Sequence, residues 1–160
     1  MPKMNKKIIS ISILIFFACI IPLSYVHELG HGYICMMEGY EFDIELGVDG
    51  GRMICYGEVE NQILFRAIGG ILAGTAAIIP LIAFRQIRRY PAVIIGLLPL
   101  GLGHFLNAGI ETIFYKTYME DSVVWGMVMG LFAFLIFIGL ANGLAKKEAR
   151  LAWDANNAKK

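Results

Sequence analysis

Charged side chains are scarce in this chain. They make up 17% of its 160 residues, against 58% hydrophobic ones, a balance that excludes a water-soluble domain of ordinary composition. No stretch between the apolar runs is long enough to form a soluble domain beside them. Cysteine is also sparse. Cys19, Cys35 and Cys55 are odd in number and lack metal-type spacing, so no disulfide framework is expected. Cys35 falls one helical turn after His31 and reads as a small packing residue. There is no internal repeat and no low-complexity tract. No small-residue cleavage site precedes the first histidine, so the first apolar run is expected to remain as a span and not to leave as a signal peptide. Most basic residues come in short groups beside apolar runs. That pattern fits topology signals and argues against nucleic-acid binding.

What the chain does have is length of apolar sequence. Four runs, near Ile8–Met37, Gln62–Phe84, Ala92–Tyr115 and Ser122–Leu144, are each long enough to cross a bilayer as a helix. Lys3, Lys6 and Lys7 precede the first. Arg85, Arg88 and Arg89 separate the second from the third. Lys146, Lys147, Arg150, Lys159 and Lys160 follow the fourth. Between the first and second runs the balance reverses: Glu38, Glu41, Asp43, Glu45, Asp49, Glu58 and Glu60 stand against Arg52 alone. Positive charge marks the cytoplasmic ends of spans, so both termini and the second loop are predicted to be cytoplasmic. Within the acidic segment, Tyr40, Phe42, Ile44 and Leu46 alternate with acidic residues. An Asp49-Gly50-Gly51 turn and a second extended run follow, which predicts a β-hairpin over about residues 40–59. The expected fold is therefore an all-α membrane bundle of about four transmembrane helices with a small β-hairpin between the first two. It would comprise one polytopic domain, residues 1–145, and a polar cytoplasmic tail, residues 146–160, able to form a short helix. Gly69, Gly70, Ala73, Gly74 and Ala77 predict close packing of the second span on a neighbour. Gly126, Gly130, Gly139 and Gly143 on the fourth span would permit self-association into a homo-oligomer.

The chemistry concentrates where the first apolar run ends, in Val26-His27-Glu28-Leu29-Gly30-His31-Gly32. Pro22, a little over one turn earlier, is either a packing kink or a bend that opens space for it. Residues four apart lie one above the other on a helix, so His27 and His31 can offer nitrogens to one ion. Glu28 can reach a water bound to that ion, which makes two metal ligands and a general base. Three histidines in 160 residues would seldom fall into this pattern by chance, and ionisable groups inside a span are usually functional. A catalytic zinc usually takes three protein ligands. The candidates for the third lie on one face of the third span: His104, Asn107 and Glu111. Helical rise puts His27 about 30 Å from the start of its span and Glu111 about 30 Å from the start of its own. Glu111 is thus favoured as the third ligand, with His104 as the alternative. Asn107 would hydrogen-bond a developing oxyanion or orient a ligand. The ligand types suit Zn2+, although iron or cobalt could occupy the same set.

With these residues in view, the chain resembles the site-2-protease family of intramembrane zinc metalloproteases. The resemblance runs from about Ile8 to Tyr115 and rests on His27–His31 late in a span, the hairpin after it, and the small-residue run Arg66–Pro80. It implies cleavage of a substrate's transmembrane helix, with His27 and His31 as zinc ligands and Glu28 as general base. It also implies that an extended substrate segment pairs with the hairpin at Tyr40–Tyr56, by strand addition in the bilayer interface. The family's third core helix normally supplies an Asp followed by Gly, where this chain offers Glu111-Thr112. Family members usually open their sites toward the cytoplasm, whereas the charges here place the site on the outer face.

The leading expectation is an intramembrane zinc endopeptidase. The alternative is a non-catalytic, metal-binding subunit of a membrane complex, in which Glu28 is dispensable. A third possibility is an ion-pathway protein that uses His104, Asn107 and Glu111 as polar relays.

Overall fold

A computed structural model describes residues 6–47, 50–120 and 122–157. Its elements run α1 (Lys6–Met37), β1 (Phe42–Gly47), β2 (Gly50–Cys55), α2 (Gln62–Ala83), α3 (Pro91–Ile113), α4 (Tyr115–Glu120) and α5 (Ser122–Asn157), with one 3-10 turn at Ile87–Arg89 between α2 and α3. The four long helices are each apolar and long enough to cross a membrane. Large side chains on their outer faces, among them Leu14, Phe17, Ile82 and Met127, are exposed. In water such faces would be costly; in a bilayer they meet lipid. The chain is a multi-pass membrane protein with a helical bundle and a two-stranded antiparallel hairpin between its first two helices.

Small residues set the packing. α2 and α3 make the most extensive helix contact, α1 packs on both, and α5 packs mainly on α3. At the basic end Gly96 of α3 lies against Ile15 and Ser12 of α1. The middle layer is Leu23, Ala77 and Leu100, with Phe16, Cys19 and Ala76 around it. At the other end Gly30 of α1 meets Gly69 of α2, where a Cβ on Gly30 would stand 2.8 Å from the Gly69 Cα. Gly70 lies against the His104 carbonyl and Ala108 of α3. The close packing predicted for the second span is therefore present.

α1 ends where its sequence turns to glycine. Gly39 has φ +87°, and the Tyr40 and Gly39 N–H groups donate to the Cys35 and Met36 carbonyls at 3.1 and 3.0 Å. This is a Schellman stop, and it turns the chain back over the end of α1. The strands pair in the register Phe42↔Cys55 through Gly47↔Gly50. Asp43 and Glu45 are exposed, while Phe42 and Ile44 are half-buried, as the alternation predicts. Asp49 of the expected turn lies outside the described residues, as do Val48, Lys3, Asp121 and Lys159–Lys160. Glu38, at the end of α1, accepts the Glu60 and Asn61 N–H groups at 2.6 and 3.3 Å, and Asn61 caps α2 through the Leu64 N–H at 3.0 Å.

Two expectations need correction. Cys35 is not a lone packing residue: it is disulfide-bonded to Cys55, with Cα atoms 5.9 Å apart. The turn at Gly39 returns β2 to the last turn of α1, and that tertiary juxtaposition has no signature in cysteine count or spacing. The polar tail does not form a separate short helix. α5 continues without a break from Ser122 to Asn157, since nothing between Leu144 and Lys147 interrupts a helix of good formers.

Candidate metal centre

Two helices bring the polar residues together. His27 and His31 lie on the buried face of α1, and Asn107 and Glu111 on the buried face of α3. All four are among the few buried polar side chains of the described chain. The His27 and His31 Nε2 atoms are 3.1 Å apart. Glu111 Oε1 lies 3.4 Å from His27 Nε2, and Oε2 lies 3.6 Å from His31 Nε2. Ligand atoms held about 2.0–2.1 Å from a tetrahedral ion stand roughly 3.3–3.4 Å from one another. The three side chains thus form a buried group that could hold a metal ion. Their chemistry fits as well, being two imidazole nitrogens and a carboxylate.

The imidazole of His31 is prepared for such a role by α2. Its Nδ1 lies 2.6 Å from the Phe65 carbonyl oxygen, which can only accept, so the proton sits on Nδ1 and Nε2 keeps its lone pair. Gly69 permits this approach, because a Cβ there would collide with His31 Nε2. His27 Nδ1 is buried without a hydrogen-bond partner among the described residues. Asn107 Nδ2 donates to Glu111 Oε1 at 2.9 Å, which is the contact of a group that orients a carboxylate. His104 stands at the edge, its ring centroid 5.6 Å from that of His27, and lies outside the His27–His31–Glu111 group.

Glu28 is held from the other side, by the hairpin. Its Oε2 accepts the Met53 N–H at 2.9 Å. In the register of β1 and β2 the Met53 amide points away from β1, so the outer edge of β2 faces the site. Gly51 lets the strand close on the side chain: a Cβ there would stand 2.6 Å from Glu28 Cγ.

Sequence reasoning missed three participants. The Phe65 carbonyl and the Met53 amide are backbone groups, which no side-chain motif announces. Tyr118 of α4 is the third. Its hydroxyl sits beside Glu111 and Asn107. Burial, and after it the negative charge of Glu111, push that hydroxyl above the ordinary tyrosine range, so it stays a hydrogen-bond donor. Its only signal was position, in the short segment that follows Glu111 at the end of the third span.

No family model, curated protein or solved structure matches the chain.

Proposed function

We propose that the protein is an intramembrane zinc metalloendopeptidase, of the kind found in the site-2-protease family, that cleaves peptide bonds in or near transmembrane segments of other membrane proteins. The observation that carries this reading is the convergence of His27 Nε2, His31 Nε2 and Glu111 on one buried point, with Glu28 of the same helix beside them. His27, His31 and Glu111 would hold the zinc. Bound there, zinc would supply Lewis acidity and a water of lowered pKa.

The chain's own residues account for the rest. The Glu28 carboxylate takes a proton from the attacking water and hands it to the leaving amide nitrogen. Phe65 and Asn107 fix the orientations of His31 and Glu111. The outer edge of β2 is the place where an extended substrate segment would pair, since that edge, with its Met53 amide, faces Glu28.

One observation favours the second reading, a non-catalytic metal-binding subunit. Glu28 already has a structural partner in the Met53 amide, and a site with no chemistry would also keep it for that contact. The test is zinc per chain in detergent-purified protein, wild type beside His31→Ala, Glu111→Ala and His104→Ala, followed by cleavage of a membrane reporter by Glu28→Gln. The protease reading expects one zinc in wild type, loss in the first two variants and retention in the third. Glu28→Gln should then keep its zinc and lose cleavage by roughly 10²–10⁴-fold. A metal-loaded wild type whose function is untouched by Glu28→Gln belongs to the subunit reading, and a wild type without metal ends both.

A further inference from the structure

Two independent features of the chain bear on which side of the membrane the site faces, and a third places the site within the bilayer. The first is the distribution of charge. Eleven of the fourteen Lys and Arg residues precede or begin the first apolar run, separate the second from the third, or follow the fourth in sequence, and only Arg52, Arg66 and Lys116 fall elsewhere. By the packing of Gly96 on Ser12 and Ile15, the starts of α1 and α3 are at one level, so the basic groups before these two helices share a side. The hairpin side carries exposed Glu41, Asp43, Glu45, Glu58 and Glu60. This asymmetry puts the hairpin outside.

The second is the disulfide. Cys35 at the last turn of α1 is joined to Cys55 at the end of β2. Such a bond persists in secretory, periplasmic and cell-surface compartments and is rare in the reducing cytosol. It says the same as the charges through unrelated chemistry.

The third is depth. α1 has 32 residues and is about 48 Å long at helical rise, well over the roughly 30 Å of a hydrocarbon core. His27 lies about 31 Å from Lys6 on that scale, and Glu111 about 30 Å from Pro91. The metal group is therefore at the margin of the bilayer on the hairpin side, and Glu28 is capped there by β2.

From these we infer that the site opens onto the outer, oxidising face of the membrane, and that the peptide bonds it acts on lie at the outer end of a substrate's transmembrane segment. The second half rests on the protease reading; the first does not. A hairpin bearing exposed carboxylates also suits a substrate whose outer juxtamembrane stretch is basic.

The experiment uses the full chain in the membranes of living host cells. Intact cells are treated with N-ethylmaleimide, then the protein is denatured and labelled with a maleimide-polyethylene glycol before or after reduction. Two thiols should become reactive only after reduction, and neither in Cys35→Ser or Cys55→Ser. Full blocking of all three cysteines before reduction overturns the proposal. Separately, in a chain with its own three cysteines changed to Ala, Glu58→Cys should react with a membrane-impermeant maleimide on intact cells, and Arg85→Cys only after permeabilisation; the reverse overturns it. A basic-flanked reporter helix whose fragment masses place the cut in its outer third supports the substrate assignment, and a cut in the inner half refutes it. Outward labelling without metal or cleavage would leave the orientation standing and remove the enzyme.

Discussion

A histidine can serve a metal only if its lone pair is free and aimed, and His31 meets both conditions through one carbonyl oxygen. The Phe65 C=O fixes the proton on Nδ1 at 2.6 Å, and the ring then presents Nε2 toward Glu111. Glu111 needs comparable restraint, because a glutamate free to turn about its three side-chain bonds would not hold a fixed geometry. Asn107 supplies it by donating to Oε1, and the Tyr118 hydroxyl lies beside the same pair. Tyr118→Phe removes a hydroxyl and little volume, so the fold should survive. The expected result is a 10- to 100-fold weaker zinc affinity, roughly the usual scale for a lost outer-shell partner, measured by competition with a chelator; unchanged affinity would deny Tyr118 a role in orienting Glu111. At this scale the sequence was informative about side chains that carry chemistry. The four-residue spacing of His27 and His31 and the matched depth of Glu111 pointed to residues that the fold does bring together. It was silent about Phe65, Met53 and Cys55, because those contacts are made by backbone or by tertiary return of the chain, and neither leaves a local pattern.

Helix α2 is the element on which the site depends most, although it contributes no candidate ligand side chain. Its glycines let α1 and α3 approach, and one of them, Gly69, lies directly against both histidines. A Cβ at Gly69 would collide with His31 Nε2 and stand 2.8 Å from the His27 carbonyl oxygen, whereas one at Gly126 of α5 would meet nothing within 4 Å. Gly69→Ala is therefore expected to cost about 1–3 kcal/mol of stability, the scale of an overpacked core, and to lower zinc occupancy. Gly126→Ala should leave zinc occupancy unchanged and should not destabilise the fold. Thermal unfolding in detergent with metal analysis on the same samples checks the pair, and equal effects from both would mean that glycine matters here only for helix propensity. Hydropathy and residue alternation alone make the four long helices and the hairpin legible. They miss α4, where Tyr115–Glu120 form one short helix between α3 and α5, and they stop the last helix at Leu144. A polar helix continuing from a span leaves the apolar run without leaving the helix.

Across the whole molecule the two halves of the proposed chemistry are held by different parts. The metal donors belong to α1 and α3 and are braced by α2, while the base, Glu28, is positioned by the hairpin through Met53 and Gly51. The hairpin is in turn tied to α1 by Cys35–Cys55, which closes a loop with a sequence separation of 20. A cross-link over a loop of that size is worth about 3 kcal/mol in chain entropy, enough to decide whether an isolated two-stranded hairpin stays in place. Reduction should therefore separate the two functions. Zinc per chain should remain as in the oxidised protein, since no donor is released. Cleavage should fall, and protease sensitivity should rise between Phe42 and Cys55, as β2 leaves Glu28. Cys35→Ser and Cys55→Ser should each reproduce the reduced behaviour without reductant, and reoxidation should restore the wild type alone. If reduction instead stripped the zinc, the hairpin would be bracing the donors themselves, and the division between a helical metal centre and a strand-held base would be wrong.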